Sequence, residues 1–230
     1  MKKTLFIVVF LTTFLSYTQQ NNNLQSHYEA FYKQMKVQGD YNGIVSALTH
    51  LNILAPSQQR KDTLAFLYMQ NNQHVQALNT IGVEIDAADS DLAVKIKAVS
   101  LKAINQPQRA IEQFESLFKR APSAYIAYEL ADLKIQVNDN DGANTNIEFG
   151  IENSKDDMRY PFYERQQPYE VPLKAAFLHL KGLVHFNKNK DDIDTAITYI
   201  DQALKIDSNF NLASLSKQAL ESRKNESKSE

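Results

Sequence analysis

The segment AIEQFESLFKRAP, residues 110–122, decides the fold of this chain. Ala110 and Phe114 lie one helical turn apart, so a small and a bulky apolar residue share one face of a helix. Pro122 follows where such a helix would end, a position at which proline is well tolerated. The segment therefore predicts an amphipathic helix that begins near Ala110 and stops before Pro122.

The start of this segment recurs along the chain at a constant interval of 33 residues. Each start follows a polar turn and precedes, by four residues, a large apolar residue. The starts are Ile44, Ala77, Ala110 and Ala143, and the large residues are Leu48, Ile81, Phe114 and Ile147. A period of this length indicates stacked supersecondary units. Because the chain has only six glycines, six prolines and no alternating strand pattern, these units are expected to be pairs of helices.

A fifth start, Ala196, comes 53 residues after Ala143, so about twenty residues are inserted before the fifth pair. The insertion covers about residues 154–172, and its prolines exclude a regular helix. Tyrosine and arginine on a stiff loop are frequent in binding hot spots, whereas aromatic residues in a long loop commonly pack on the core. The sequence leaves both roles open. The candidate partner-binding residues of this loop are Tyr160, Phe162, Tyr163, Arg165 and Tyr169.

Ala110-x-x-x-Phe114 with Pro122, together with AITYIDQALKID at residues 196–207, resembles the tetratricopeptide repeat. The departures are the absence of tryptophan and a polar fourth second helix around Asn144. Ankyrin repeats share the period, but their Thr-Pro-Leu-His signature is absent. The resemblance implies an all-α, right-handed superhelical solenoid of about five helix-turn-helix pairs over residues 24–220. Apolar residues from Phe210 to Leu220 predict a C-terminal capping helix.

In tetratricopeptide-repeat proteins the first helix of each pair lines a concave groove, which implies a set of partner-binding residues here. These are Lys33, Asp62, Phe66, Met69, Lys95, Val99, Lys102, Tyr128 and Asp132. The set combines apolar anchors with charges of both signs, which suits an amphipathic helix or an extended protein segment. We therefore expect a non-catalytic protein-protein interaction scaffold or adaptor. The alternative is a periplasmic holding chaperone that binds many unfolded clients weakly.

The two ends of the chain predict export and a polar tail. Residues 1–18 combine Lys2 and Lys3, an apolar run to Leu15 and small residues before a cleavage point, the pattern of a signal peptide. A polar leader is expected at residues 19–23 and a disordered, charged tail at residues 221–230. No cysteine is present to carry a lipid anchor. The expected location is the bacterial envelope, periplasmic or secreted, with no integral membrane span after cleavage.

The composition offers little for catalysis, metals or nucleic acid. The five histidines show no metal-site spacing, and neither a phosphate-binding glycine loop nor a nucleophile elbow is present. Asp139-Asn140-Asp141-Gly142 imitates part of a calcium loop, but Val137 stands where the first oxygen ligand belongs. The formal charge of -2 and scattered lysines disfavour nucleic acid. We expect no enzyme activity, no cofactor and no bound metal.

Overall fold

Residues 23–226 are described by the structure, which is a computed structural model. The predicted signal peptide at residues 1–18, residues 19–22 and residues 227–230 lie outside that range. The helices within it are α1 (residues 23–38), α2 (Tyr41–Leu54), α3 (Gln58–Gln70), α4 (His74–Ile81), α5 (Asp91–Ala103), α6 (Pro107–Arg120), α7 (Ala124–Gln136), α8 (Asn140–Asn153), α9 (Leu173–Lys188), α10 (Ile193–Ile206) and α11 (Asn211–Glu226). One antiparallel hairpin, β1 (Arg159–Phe162) with β2 (Tyr169–Pro172), lies between α8 and α9 in the chain.

Most successive helices form adjacent antiparallel pairs, among them α3 with α4, α7 with α8 and α9 with α10. Helix α11 packs against α10 and follows the last pair. The predicted all-α fold of helix pairs closed by a C-terminal helix is therefore confirmed. The chain divides into two compact units, Met1–Ser100 and Leu101–Glu230, which are called the N-terminal unit and the C-terminal unit below.

The first four pairs each turn on one residue with a positive φ angle, and these residues are 33 positions apart. They are Gly39 (67°), Asn72 (57°), Asn105 (58°) and Asn138 (62°). The next residue donates its backbone N–H to the carbonyl five residues earlier, over 2.8–3.0 Å, which closes the end of the first helix. Glycine and asparagine adopt this left-handed conformation most readily. The 33-residue period is thus present in the backbone as well as in the apolar pattern.

The alanines near the start of α4, α6, α8 and α10 have equivalent places in these second helices. Ala77, Ala110, Ala143 and Ala196 are all fully buried. In the N-terminal unit, Ala77 packs with Ala65, Met69 and Ile96, which come from α3 and α5. A methyl group at each of these positions lets neighbouring helices approach closely while excluding water.

The core of the C-terminal unit joins α7–α11 to the hairpin. Phe162 of β1 lies with its ring centroid 4.9 Å from that of Phe210, just before α11. Phe177 of α9 lies against Gly150 of α8 so closely that a Cβ at Gly150 would overlap its ring. The glycine that weakens α8 as a helix former therefore makes room for the buried ring of Phe177.

The hairpin differs from the expected irregular loop because its prolines fall at tolerated places. Pro161 pairs with Glu170, and Pro172 pairs with Arg159. A proline has no N–H, so it fits a two-stranded ladder only where that group would face the outer edge. Both outer edges are accordingly blunted against further strand pairing.

The disordered tail predicted from residue 221 is wrong for residues 221–226, because α11 continues to Glu226. Lys217 lies 3.8 Å from Glu221 one turn later, and Lys224 forms an ion pair with Asp194 of α10. These pairs and good helix-forming residues extend the helix past its last apolar contact.

Candidate functional site

The predicted groove residues occupy three sets of equivalent positions in the first helices α1, α3, α5 and α7. Within each set the positions are 33 residues apart, so they fall at the same place along successive first helices. The sets are Lys33, Phe66, Val99 and Asp132; Asp62, Lys95 and Tyr128; and Met69 with Lys102. Lys102, Tyr128 and Asp132 belong to the C-terminal unit and the others to the N-terminal unit.

In the N-terminal unit, four of these residues form what we call the N-terminal face: Lys33, Phe66, Lys95 and Val99. Phe66 and Val99 are half-buried and pack on the cluster around Ala65. Lys33 and Lys95 are exposed, and neither has an ion-pair partner within 4.0 Å among residues 23–226. The N-terminal face therefore combines two half-buried apolar side chains with two exposed lysines that have no ion-pair partner among residues 23–226.

Asp62 and Met69, also predicted to line the groove, are buried in the N-terminal unit, with 5% and 8% of their surface exposed. The carboxylate of Asp62 accepts hydrogen bonds from Ser90 Oγ at 2.7 Å and Gln58 Nε2 at 2.8 Å. Ser90 Oγ in turn accepts from the Ala93 backbone N–H at the start of α5, over 3.0 Å. The prediction of Asp62 as an open groove charge is wrong, because Asp62 orients the residue that caps α5.

A lysine that the sequence did not single out is the most deeply buried charge of this unit. Lys97 of α5 is 2% exposed; its Nζ lies 2.5 Å from Asp89 and donates to the Glu84 carbonyl over 2.7 Å. A buried ammonium needs such partners to offset its lost hydration. Lys97 therefore fixes the segment before α5, and it contributes no charge to the N-terminal face.

In the C-terminal unit, the hairpin covers Tyr128, one of the two predicted groove residues of α7. Tyr128 is 4% exposed, and its ring centroid lies 4.0 Å from that of Tyr160 and 5.5 Å from that of Phe177. Burial, with help from the nearby carboxylates of Asp132 and Glu129, raises the pKa of Tyr128 well above its usual value. The expectation that Tyr128 faces an open groove is wrong, because residues inserted 32 positions later pack on it.

A polar cluster joins the hairpin to α7 and the end of α5. Tyr160 Oη donates to Glu129 over 2.7 Å, and Lys102 Nζ lies 2.5 Å from Glu129 and 3.8 Å from Asp132. Burial opposes the charge of Lys102, but the two carboxylates outweigh it and raise the pKa of its ammonium. Burial raises the pKa of Asp132, against the pull of Lys102. Glu129 could not be identified as a site residue from the sequence, because its hydrogen-bond partner Tyr160 is 31 residues away in the sequence.

The five candidate residues of the insertion differ in whether they pack on the core or are exposed. Tyr160 and Phe162 face the core, whereas Tyr163 is 71% exposed and Arg165 is also exposed. The hydroxyl of Tyr169 makes two hydrogen bonds. It donates to Glu164 and accepts from the Leu212 backbone N–H over 3.3 Å.

Burial opposes the negative charge of Glu164, but the hydrogen bonds that its carboxylate accepts from Tyr169 and Asn211 outweigh burial and lower the pKa of Glu164. Burial raises the pKa of Tyr169 to about 12. The guanidinium of Arg165 lies 4.9 Å from the centroid of the Tyr169 ring. The loop is therefore mainly a packed element, with Tyr163 turned outward.

Two further properties of residues 23–226 bear on the site. These residues contain no group of three or more histidine, cysteine or acidic side chains placed to hold a metal ion. None of the helices in that range combines the length and apolar character needed to cross a membrane.

Comparison with known proteins identifies the fold. No family model and no curated protein matches the sequence. Among solved structures, YrrB, described as a TPR protein with an unusual peptide-binding site, matches with a TM-score of 0.65 and 12% identity over 83% of this chain and 90% of YrrB. MamA matches with a TM-score of 0.60 and 18% identity over 80% of this chain and 92% of MamA.

A MamA fragment from Desulfovibrio magneticus RS-1 also matches, with a TM-score of 0.60 and 12% identity over 81% of this chain and 97% of the fragment. At these identities the likeness concerns the fold alone. The tetratricopeptide-repeat fold predicted from the sequence is confirmed.

Proposed function

We propose that this chain, which has the tetratricopeptide-repeat fold, is a non-catalytic scaffold or adaptor of the bacterial cell envelope. It holds a protein segment against the N-terminal face. The observation that carries this proposal is that half-buried Phe66 and Val99 and the exposed, unpaired Lys33 and Lys95 occupy equivalent positions, or positions one turn apart, on successive first helices of the N-terminal unit.

The chemistry of the N-terminal face supports a protein ligand. Apolar side chains that rest on a packed core are rigid, so a partner's side chain can bury itself there with little loss of conformational freedom. The lysines at the border fix orientation and discriminate among partners. The solved relative YrrB is described as having a peptide-binding site, which favours the same use of this fold here.

Location in the envelope rests on the predicted signal peptide at residues 1–18, which combines a basic start, an apolar run and small residues. After cleavage the chain would act in the periplasm or beyond.

The function is tested by retrieving the natural partner with the double variant Phe66→Ala and Lys95→Glu. We expect co-purification of the partner to fall at least about tenfold, because both an anchor and a border charge are lost. The matched control is Lys205→Glu with Ile206→Ala, which makes the same kind of change on α10. Thermal unfolding of both variants checks that the fold persists.

Undiminished retrieval of the partner by the folded Phe66/Lys95 variant would contradict the proposed site. Retrieval of many weak clients instead of one stable partner would contradict the adaptor and favour a holding chaperone.

A further inference from the structure

The charges on the N-terminal face are unequally available to a ligand. Lys33 and Lys95 are exposed and unpaired among residues 23–226, as described above. The acidic residue at the position equivalent to Lys95 is Asp62, which is buried and bonded to Ser90 and Gln58. Its carboxylate is therefore buried and engaged within the protein, so it is not presented to a ligand as Lys33 and Lys95 are.

The remaining acids of these helices lie on the N-terminal side of the two lysines. Glu29 precedes Lys33 by one turn and accepts a hydrogen bond from Gln25 Nε2 at 2.8 Å. Asp91 likewise precedes Lys95 by one turn, in the first turn of α5. Both acids lie one turn closer to the start of their helices than the lysines, whereas Lys33 holds the position equivalent to Phe66 and Lys95 lies one turn before Val99.

The corresponding residues of the C-terminal unit offer no such surface. Lys102 is neutralised by Glu129 and Asp132, and Tyr128 is covered by Tyr160. Among the predicted groove residues of that unit, the lysine is therefore paired and the tyrosine is buried. A ligand that needs both features is therefore served by the N-terminal face.

We propose that the partner segment is acidic and carries a large apolar side chain. That side chain lies on Phe66 and Val99, while carboxylates within about one helical turn of it pair with Lys33 and Lys95. This inference rests on the proposed function and specifies its ligand. Glutamate or aspartate flanking a leucine or phenylalanine is the pattern that matches two lysines flanking an apolar pair.

The same lysines suit a nucleic acid less well. Binding to a phosphate backbone generally draws on many basic contacts, commonly six to ten in strong binders, and its affinity falls steeply with salt. The N-terminal face has two unpaired lysines, and its aromatic ring is half-buried against the core instead of exposed for stacking.

The test measures binding of three fluorescent 14-residue peptides to the purified protein. The first has glutamates flanking a central leucine pair, the second replaces the glutamates by glutamine, and the third replaces the leucines by serine. We expect the first peptide to bind at least about tenfold more tightly than either of the others, because each lacks one recognised feature. A labelled 14-nucleotide oligothymidylate is the fourth probe.

Protein variants separate this face from general charge. Lys33→Gln with Lys95→Gln should remove the preference for glutamate over glutamine, while leaving the leucine-dependent binding. Lys174→Gln with Lys205→Gln, two exposed lysines of the C-terminal unit, removes the same net charge and should leave the preference intact.

Equal binding of the glutamate and glutamine peptides, or binding of none of the peptides, would overturn the inference. If the Phe66/Lys95 variant nevertheless loses its natural partner, the proposed function stands and only the acidic ligand falls. Preference for the oligothymidylate would overturn both the inference and the protein scaffold.

Discussion

His179 illustrates how one residue of an unremarkable type acquires an individual chemistry. It is 1% exposed on α9, where its Nε2 lies 2.9 Å from Ser216 Oγ and its ring lies 5.3 Å from that of Phe210. Burial lowers the pKa of His179 to about 4, and the distant negative charge of Glu164 opposes this only in part. The neutral imidazole is therefore a component of the core.

This shift predicts how stability depends on pH. The unfolded chain binds the proton near pH 6.5 and the folded chain only near pH 4, so the free energy of unfolding falls as the pH drops through that window. The loss contributed by His179 is roughly 3 kcal/mol at most. Urea unfolding between pH 7.5 and pH 4 measures it, with His179→Gln as the non-titrating variant and exposed His27→Gln as the control.

We expect the His179→Gln variant to lose less stability on acidification than the wild type, and His27→Gln to follow the wild type. Identical pH dependences for the wild type and the His179→Gln variant would show that this imidazole is not protected from protons in the fold.

At the scale of elements, the recurring unit is a helix pair closed by one left-handed residue. Asn72, Asn105 and Asn138 hold this position in three successive pairs, and Gly39 holds it in the first. A side chain with a Cβ is disfavoured there by about 1–2 kcal/mol, a penalty that asparagine partly avoids through its short polar side chain.

Substitutions at Asn105 test the turn directly. Asn105→Gly should leave the stability unchanged or slightly raised, while Asn105→Ala should lower the free energy of unfolding by about 1 kcal/mol. Gln106→Ala, next in the chain but with a negative φ of -114°, is the matched control. Chemical denaturation gives all three values, and an alanine variant as stable as the glycine variant would contradict the role of the turn.

The sequence predicts those elements whose cause is local or periodic. The second helices follow from alanines such as Ala110 and Ala143 at a fixed interval, and their ends follow from Pro122 and polar turns. The hairpin could not be predicted in the same way, because a two-stranded ladder with Pro161 depends on which backbone groups face outward.

Side-chain positions on the predicted groove were harder to predict than the helices that carry them. Helical phase places Phe66 and Val99 on the N-terminal face. It cannot reveal that Asp62 is buried and accepts a hydrogen bond from Ser90. Nor can it reveal that Tyr160 covers Tyr128, since the two residues are far apart in the sequence. The need for glycine at position 150 could not be predicted either, because it depends on the ring of Phe177 on another helix.

For the whole molecule, the two units differ in what their first helices present. In the N-terminal unit an apolar pair remains half-buried beside unpaired lysines. In the C-terminal unit an inserted hairpin packs on the corresponding aromatic residue and an acidic pair neutralises the lysine. We therefore assign partner binding to the N-terminal unit. In the C-terminal unit, the inserted hairpin of the chain itself covers the corresponding aromatic residue.

The most direct test of that assignment is site-specific photo-cross-linking in the cells that make the protein. A photoreactive amino acid is placed at Lys33 or Lys95 on the N-terminal face, and at Ile206 or Leu215, which are exposed in the C-terminal unit. We expect one and the same protein adduct from positions 33 and 95 and no such adduct from positions 206 and 215. Adducts formed equally at all four positions, or only at positions 206 and 215, would contradict it.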